Sequence, residues 1–396
     1  MKILIVCQYY YPEQFLINQI APELVKRGHQ VTVLTGLPNY PSGIVPDEYR
    51  NGKKRHEYID GVEIVRCEEH GRKGGPLHLL LNYLSYRRNG IKIAKSMPSG
   101  YDVVLCYQLS PITMLEPAIA YKKKYGTPIL NYCLDLWPES AQAYLPKRNP
   151  LYKLISNYCR NLYASCDRIA VTSQPFIDYI HNVNNISIDN LCYIPQHADD
   201  KMLDLDMTSK DNGIADFMFA GNLGKGQKIE TIVKAAAIIK DRKDFLIHLV
   251  GDGTMRAELE ELARNMDVYD KFIFYGNQKR DDMPKFYSMA DALLITLRGN
   301  NAVGDTMPGK LQMYMTTGKP IFGAINGAAK QVIEESKCGA CVKAEDAEGL
   351  ARIMSSFIDS PKVYSECGDN ARNYFRKHFT FEVYMNRLEK ELSSII

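Results

Sequence analysis

Along this chain, short apolar runs of the kind buried on both faces of a sheet alternate with longer stretches whose apolar positions recur at helical spacing. That alternation predicts parallel sheets crossed by helices. In the first half the runs place strands at Lys2 to Cys7, Gln30 to Thr35, Val62 to Arg66, Val103 to Tyr107, Ile129 to Cys133, Arg168 to Thr172 and Leu191 to Ile194. The clearest helix, Ile17 to Lys26, sets Ile17, Ile20, Ala21, Leu24 and Val25 on one face and stops at Gly28, which takes a left-handed cap without a Cβ clash. From Gln196 to Gly213 the pattern lapses into polar and acidic residues. It restarts with strands at Phe217 to Ala220, Phe245 to Val250, Phe272 to Tyr275, Ala292 to Thr296 and Pro320 to Ala324, and ends in helices near Lys362 to Lys377 and Phe381 to Ser394. The predicted class is α/β: two Rossmann-like doubly wound parallel-sheet domains, residues 1–195 and 214–375, joined by a linker at 196–213. A final helix, 376–396, is expected to pack back on the first domain.

A length of 396 residues suits two cores better than one. The balance of 45% hydrophobic and 24% charged residues excludes a disordered chain, and ten scattered cysteines do not read as a disulfide framework. No apolar run reaches spanning length, and Met1 to Gln8 turns polar too soon for a signal peptide, so a cytoplasmic location is expected. Cys338 and Cys341 have the spacing of a metal or redox pair, but with no second pair or nearby histidine they read as part of a structural turn. Asp204-Leu205-Asp206 lies in the acidic linker and follows no strand end, so no metal site is expected there.

The net charge of +3 is unevenly spread, and no nucleic-acid partner is expected. Between Arg50 and Lys95 there are eleven basic residues against five acidic ones. Inside that stretch, Pro76 to Arg88 is rich in leucine and tyrosine. Leu80, Leu81, Arg87 and Arg88 are therefore candidates for contact with an anionic membrane surface, with an ordinary core helix as the competing reading.

In doubly wound sheets ligands collect beyond the carboxyl ends of strands. The loop after the strand ending at Ala220 holds Gly221, Asn222, Gly224, Gln227 and Lys228, where backbone N–H groups and a helix start suit a phosphate, although taken alone its spacing fits a tight turn better. Gly251 and Gly253 form a second such turn, and Asn277 follows the strand ending at Tyr275. A third loop carries Thr306, Met307, Pro308, Gly309, Lys310 and Leu311 into a helix start, with amides, a hydroxyl and an ammonium for a diphosphate. In the first domain the loops after strands one and two hold Tyr11, Glu13, Asn39 and Tyr40, groups able to stack on a sugar face and bind hydroxyls, or to pack a loop on its core. After Cys133 come Asp135, Trp137 and Glu139. Carboxylates four apart would share a helical face, as a general base and its partner do, whereas capping by Asp135 is the structural alternative.

These segments resemble the retaining family 4 glycosyltransferases of GT-B fold. The likeness rests on Tyr11-Pro12-Glu13, on Gly28-His29 through Val33-Leu34-Thr35-Gly36 to Pro38-Asn39-Tyr40-Pro41 and Gly43, on Asp135-Leu136-Trp137-Pro138-Glu139-Ser140, on Gly221-Asn222-Leu223-Gly224, and on Pro308, Lys310-Leu311, Tyr314 and Gly318-Lys319-Pro320-Ile321. It is nearest to the branch that makes capsule, O-antigen and exopolysaccharide, which includes N-acetylfucosamine transferase-like members. The resemblance implies a C-terminal domain that binds a nucleotide sugar, UDP-linked, an N-terminal domain that binds a lipid-linked glycan acceptor, a cleft between them, and no metal or other cofactor. It further implies retention of anomeric configuration and work at the inner face of the cell membrane. Carried over by position, Asn222 and Gln227 stand where the family has arginine and lysine on the donor phosphates, with Lys310 supplying the lost charge. Gly304 and Gln312 replace the family's paired glutamates, and Leu134 replaces a histidine. A nucleotide-sugar epimerase of the same fold and a non-catalytic nucleotide-sugar-binding subunit are the alternative functions.

Overall fold

The computed structural model describes residues 1–141, 148–209, 212–299 and 307–396. They form two compact units, Met1–Ile194 with Met385–Ile396, and Pro195–Tyr384.

Unit 1 follows the order β1 (Lys2–Val6), α1 (Ile17–Lys26), β2 (Gln30–Thr35), β3 (His56–Ile59), β4 (Val62–Arg66), α2 (Pro76–Ser96), β5 (Val103–Gln108), α3 (Glu116–Tyr125), β6 (Ile129–Cys133), α4 (Pro150–Tyr163), β7 (Arg168–Val171), α5 (Pro175–Asn184) and β8 (Leu191–Tyr193). Its sheet runs β3-β4-β2-β1-β5-β6-β7-β8, with β1 between β2 and β5, the order reversal of a doubly wound sheet. Every pairing is parallel except β3 on β4, where His56 faces Val65. The sequence pattern missed this antiparallel edge strand because His56-Glu57-Tyr58-Ile59 lacks a buried apolar face. β1, β5 and β6 are buried almost end to end, and Leu4, Val6, Val104, Cys106, Ile129 and Cys133 meet helix residues such as Ile119, Leu162 and Phe176 in one core. Within the same unit Glu389 bonds Arg27 and His29, and Glu391 bonds Arg168.

Unit 2 repeats the plan with β9 (Ala215–Ala220), α6 (Glu230–Ile238), β10 (Phe245–Val250), α7 (Arg256–Asn265), β11 (Phe272–Gly276), α8 (Met283–Tyr287), β12 (Ala292–Thr296), α9 (Gly309–Thr316), β13 (Ile321–Ala324), α10 (Gly327–Ser336), β14 (Gly339–Val342), α11 (Ala347–Asp359), α12 (Cys367–His378) and α13 (Phe381–Ser393), the last running on into residues of unit 1. Its sheet is β11-β10-β9-β12-β13-β14, with all named pairings parallel. Apolar clusters cover both faces, one around Phe217, Phe219 and Phe322, the other around Met218, Leu293 and Tyr314. The expected turn at Cys338 to Cys341 instead leads into the edge strand β14, in which Cys341 faces Gly323 of β13. Gly339 lies so close to Ile321 that a Cβ there would meet its carbonyl oxygen at 1.8 Å, so the small residues that resembled a turn serve strand contact. Among the described residues no group of three or more His, Cys, Asp or Glu could hold a metal ion.

Candidate functional site

In unit 2 the ends of β9, β10 and β11 bring three glycines together. Gly221 donates its N–H to the Val250 carbonyl, and Gly251 donates to Gly276. A Cβ on Gly251 would stand 2.0 Å from the Gly221 oxygen, and one on Gly253 would stand 2.5 Å from the Asn222 side chain. With φ of 144° at Gly221 and 132° at Gly251, both turns use backbone that other residues rarely adopt. These strands read as continuous apolar runs because both faces are covered, and the chain must turn sharply at the carboxyl edge to enter the next helix.

Onto these turns projects Lys310, from the first turn of α9. Tyr314, one turn further on, fixes the helix by receiving the Ala220 N–H at 2.7 Å and donating to the Ala220 carbonyl at 3.2 Å. The Lys310 ammonium lies 3.6 Å from the centroid of the Phe219 ring, donates to Gln227 Oε1 at 2.6 Å, and sits 3.1 Å from where a Gly221 Cβ would be. No carboxylate neutralises it in the described structure, and burial pushes it down to about 7. A half-buried ammonium held by an amide beside glycine turns and a helix N-terminus has the chemistry to hold an anion. The Thr296 hydroxyl holds the Gln227 carbonyl at 2.6 Å.

The structure thus gathers Gly221, Asn222, Gly224, Gln227, Gly251, Gly253 and Lys310. Lys228 turns away to pair with Glu345 at 3.2 Å. Asn277 is exposed beyond β11. Leu311 is buried in the core and Met307 packs against it, so only their backbones remain for a ligand; Pro308 and Gly309 open the helix. Thr306 and Gly304 lie outside the described residues. Gln312 is buried and donates to the Gln196 carbonyl.

In unit 1 the corresponding edge is organised by buried carboxylates. Glu13 accepts the backbone N–H groups of Asn39 at 2.7 Å and Tyr40 at 2.5 Å, which makes it a staple between the loops after β1 and β2. Desolvation raises its carboxyl above the usual range. Behind it lies Glu69, which sequence reasoning missed. Its Oε1 accepts from Gln8 at 2.7 Å and Asn82 at 2.6 Å, and burial pushes its carboxyl up to about 8. Arg72, also missed, stacks over the rings of Tyr9 and Tyr40 and donates to Asn39 at 3.0 Å. Tyr11 and Tyr40 remain 43% and 49% exposed, free to meet a ligand.

Asp135 and Glu139 do not share a helical face. They flank a cis Trp137–Pro138 bond, and only a short 3-10 turn begins at Glu139. Asp135 accepts the Ser110 hydroxyl at 2.8 Å, and Ser110 also receives the Trp137 indole N–H at 3.1 Å, so neither helix capping nor a carboxylate pair describes it. Glu139 is held by the hydroxyls of Tyr179 at 2.6 Å and Tyr152 at 3.2 Å. Among the described residues four cis X-Pro bonds, at Pro12, Pro41, Pro111 and Pro138, all lie in loops after unit 1 strands.

Two parallel-sheet units of this topology define the GT-B class of glycosyltransferase folds. Residues 15–201 match the family described as Glycosyltransferase Family 4, and residues 206–374 match Glycosyl transferases group 1. The chain belongs with these group 1, family 4 glycosyltransferases. It is similar, at 22% identity over 98% of this chain and 99% of the relative, to WcaI, the glycosyl transferase assigned to colanic acid biosynthesis in Escherichia coli (strain K12). It is 24% identical to the N-acetyl-alpha-D-glucosaminyl L-malate synthase of Bacillus anthracis over 47% of this chain and 48% of that protein, about half the length of each. The crystal structure of Anabaena Alr3699/HepE in complex with UDP superimposes with a TM-score of 0.70 at 15% identity, covering all of both chains.

Proposed function

We propose that this chain is a retaining, metal-independent transferase that moves a sugar from a UDP-linked donor to a lipid-linked glycan acceptor in the synthesis of capsule, O-antigen or exopolysaccharide. The donor sugar in this reading is an N-acetylated hexosamine or deoxyhexosamine. The observation that carries it is the Lys310 ammonium, half-buried over Phe219 and against the glycine turns and bonded to the Gln227 amide, with no carboxylate partner among the described residues. The WcaI likeness along nearly the whole chain and the UDP complex of HepE support the polysaccharide and UDP parts of the reading.

In the proposed reaction the bond from the anomeric carbon to the diphosphate oxygen breaks as the acceptor oxygen bonds to that carbon from the same face. The acceptor proton passes to the leaving diphosphate. Negative charge then grows on the diphosphate, which in this reading lies against the start of α9 and the Lys310 ammonium. No enzyme nucleophile is required. Asp135, anchored through one oxygen to Ser110, serves to orient the acceptor hydroxyl, Glu139 steadies the turn through its two tyrosines, and Tyr11, Asn39, Tyr40 and Trp137 bind the acceptor. A peripheral place at the inner face of the cell membrane is part of the proposal. It is supported by the exposure of Leu80, Leu81 and Arg88 and the half-exposure of Arg87 on α2, and no helix among the described residues is long and apolar enough to cross a membrane.

A panel of nucleotide sugars tested by thermal shift identifies the donor, because occupancy stabilises the folded state. Lys310→Ala is expected to shrink the UDP-dependent shift, and Asp135→Ala to reduce transfer while leaving that shift intact. Wild-type behaviour of both variants would overturn the assignments, and release of an epimerised sugar without acceptor would replace transfer with epimerisation.

A further inference from the structure

At the edge of the unit 2 sheet opposite to the glycine turns lies a pocket of about 640 Å³, a volume typical of small-molecule sites. Because the strands are parallel, their amino ends share this edge: Ala215 opens β9, and Asp244, Asp291 and Pro320 directly precede β10, β12 and β13. One wall is apolar. Phe357 and Ile358 come from the last turn of α11, Pro361 and Tyr364 follow it, and the rings of Phe357 and Tyr364 meet edge to face at 5.7 Å.

Lys319 lines the same pocket and is only 7% exposed. Its backbone N–H is bonded to the Thr317 hydroxyl at 3.2 Å, but no hydrogen bond or ion pair holds its ammonium among the described residues. Desolvation pushes that ammonium below the ordinary lysine range. The carboxylates near it are engaged by other groups. Asp291 accepts from the Ser209 hydroxyl and from the Asp216 N–H at 2.9 Å, Asp244 accepts from Arg242 at 2.9 and 3.0 Å, and Asp206 accepts from the Thr208 hydroxyl at 2.7 Å. A second cation stands close by: Arg372 donates to the carbonyls of Thr316, Thr317 and Leu205, and has no carboxylate partner among the described residues. The start of α12 completes this side. A Cβ on Gly368 would stand 2.0 Å from the Gly318 oxygen, so the first turn of α12 lies directly on the residue before Lys319. No side chain caps that helix, whose start places Ser365 and Gly368 on the pocket. Uncapped N–H groups at a helix start favour negative charge.

We propose that this pocket is a second ligand site of unit 2, which takes a small molecule bearing one oxyanion group, phosphate or carboxylate, on an apolar body. The walls select that chemistry. A buried ammonium without a partner is costly, and an entering anion removes the cost. The start of α12 adds partial positive charge on the same side, while Phe357, Pro361 and Tyr364 cover the apolar body. A neutral apolar ligand would leave Lys319 unpaired, and a bare anion would leave the apolar wall in water. The pocket is separate from the donor loops. Lys310 lies in the first turn of α9, at the carboxyl edge of the sheet, whereas Lys319 follows the end of that helix at the amino edge. The inference therefore does not depend on what the donor loops bind.

The full chain is titrated by calorimetry with phenyl phosphate, benzoate, inorganic phosphate and phenol. At least one of the two aromatic anions is expected to bind, and the tighter of them tells phosphate from carboxylate. Phenol and inorganic phosphate are expected to bind at least about tenfold more weakly, each lacking one half of the recognition. Lys319→Gln is expected to weaken the aromatic anion about thirtyfold, the weight of one charge-assisted hydrogen bond. Ser365→Glu, at an exposed position away from the core, sets a carboxylate at the helix start and is expected to weaken it about fivefold. Lys310→Ala is expected to leave this affinity unchanged. Binding of neither aromatic anion, or phenol binding as tightly as both, overturns the proposal. So does full affinity in Lys319→Gln, or a loss in Lys310→Ala that matches it, which would move the anion to the donor loops. Should Lys319→Gln lack a cooperative unfolding transition, the Ser365→Glu titration decides alone.

Discussion

Two desolvated titratable side chains carry opposite consequences for pH. Lys310 is held at about 7 against an ordinary 10.5 by desolvation. Between those values the unfolded chain keeps a proton there that the folded chain has lost, so wild-type stability rises with pH across that window. Lys310→Met removes the penalty: without ligand its thermal midpoint should exceed that of wild type at pH 7, with a margin that shrinks toward pH 10. The same variant should bind UDP about thirtyfold less tightly, the weight of a charge-assisted hydrogen bond of about 2 kcal/mol, as read by calorimetric titration. Glu69 has the reverse sign. Its folded value of about 8 exceeds the ordinary 4.5, so its contribution to stability is complete below pH 4.5 and is lost as pH rises through 8. Glu69→Gln should match wild type in urea unfolding at pH 4 and become progressively more stable than it up to pH 8. Lys310 was legible in sequence because it opens a helix after a strand and a polar loop. Glu69 was not, because a carboxylate inside a basic run reads as a solvated surface and only packing under Gly36 reveals its burial.

Among elements, the buried parallel strands were legible almost to the residue, since coverage on both faces leaves a nearly continuous apolar signature in β1, β10 and β12. The edges were not. β3 lacks that signature, and β14 is made of small residues selected for close approach. The segment from Asp135 to Glu139 misled for a local reason: a residue before proline is pushed out of the helical region, so Trp137-Pro138 broke the four-residue spacing that would otherwise pair the carboxylates. Loop glycines can be separated by experiment. Gly251→Ala would drive a Cβ into the Gly221 carbonyl at a positive φ, and should destabilise the protein by about 2 kcal/mol or more and remove UDP binding. At Gly226 an added Cβ would meet nothing within 4 Å, so Gly226→Ala should stay within about 0.5 kcal/mol of wild type in the same denaturant titration.

At the scale of the whole molecule, the division into two units, each with its own sheet and core, was readable from the repeat of strand and helix around an acidic interval. The polar networks behind the unit 1 loops were not, because they join residues as distant in sequence as Gln8, Glu69 and Asn82. UDP at about a hundred times its Kd should stabilise the structure it binds by about 2.7 kcal/mol. Hydrogen exchange should register this as slowed exchange in β9, β10 and the start of α9, with the Glu13 and Asn39 loops unchanged; protection confined to unit 1 would reverse the donor assignment. The membership of Met385–Ile396 in unit 1 also bears on how the protein is made. Arg27, His29 and Arg168 emerge from the ribosome early, but Glu391 follows Arg168 only after 223 further residues, roughly 11–45 s later at ordinary elongation rates, and Glu389 follows Arg27 after 362. The first unit to be translated is thus the last to acquire its full set of ion pairs, and nascent chains stalled before residue 385 should be cleaved by protease at α1 and β7 faster than released protein.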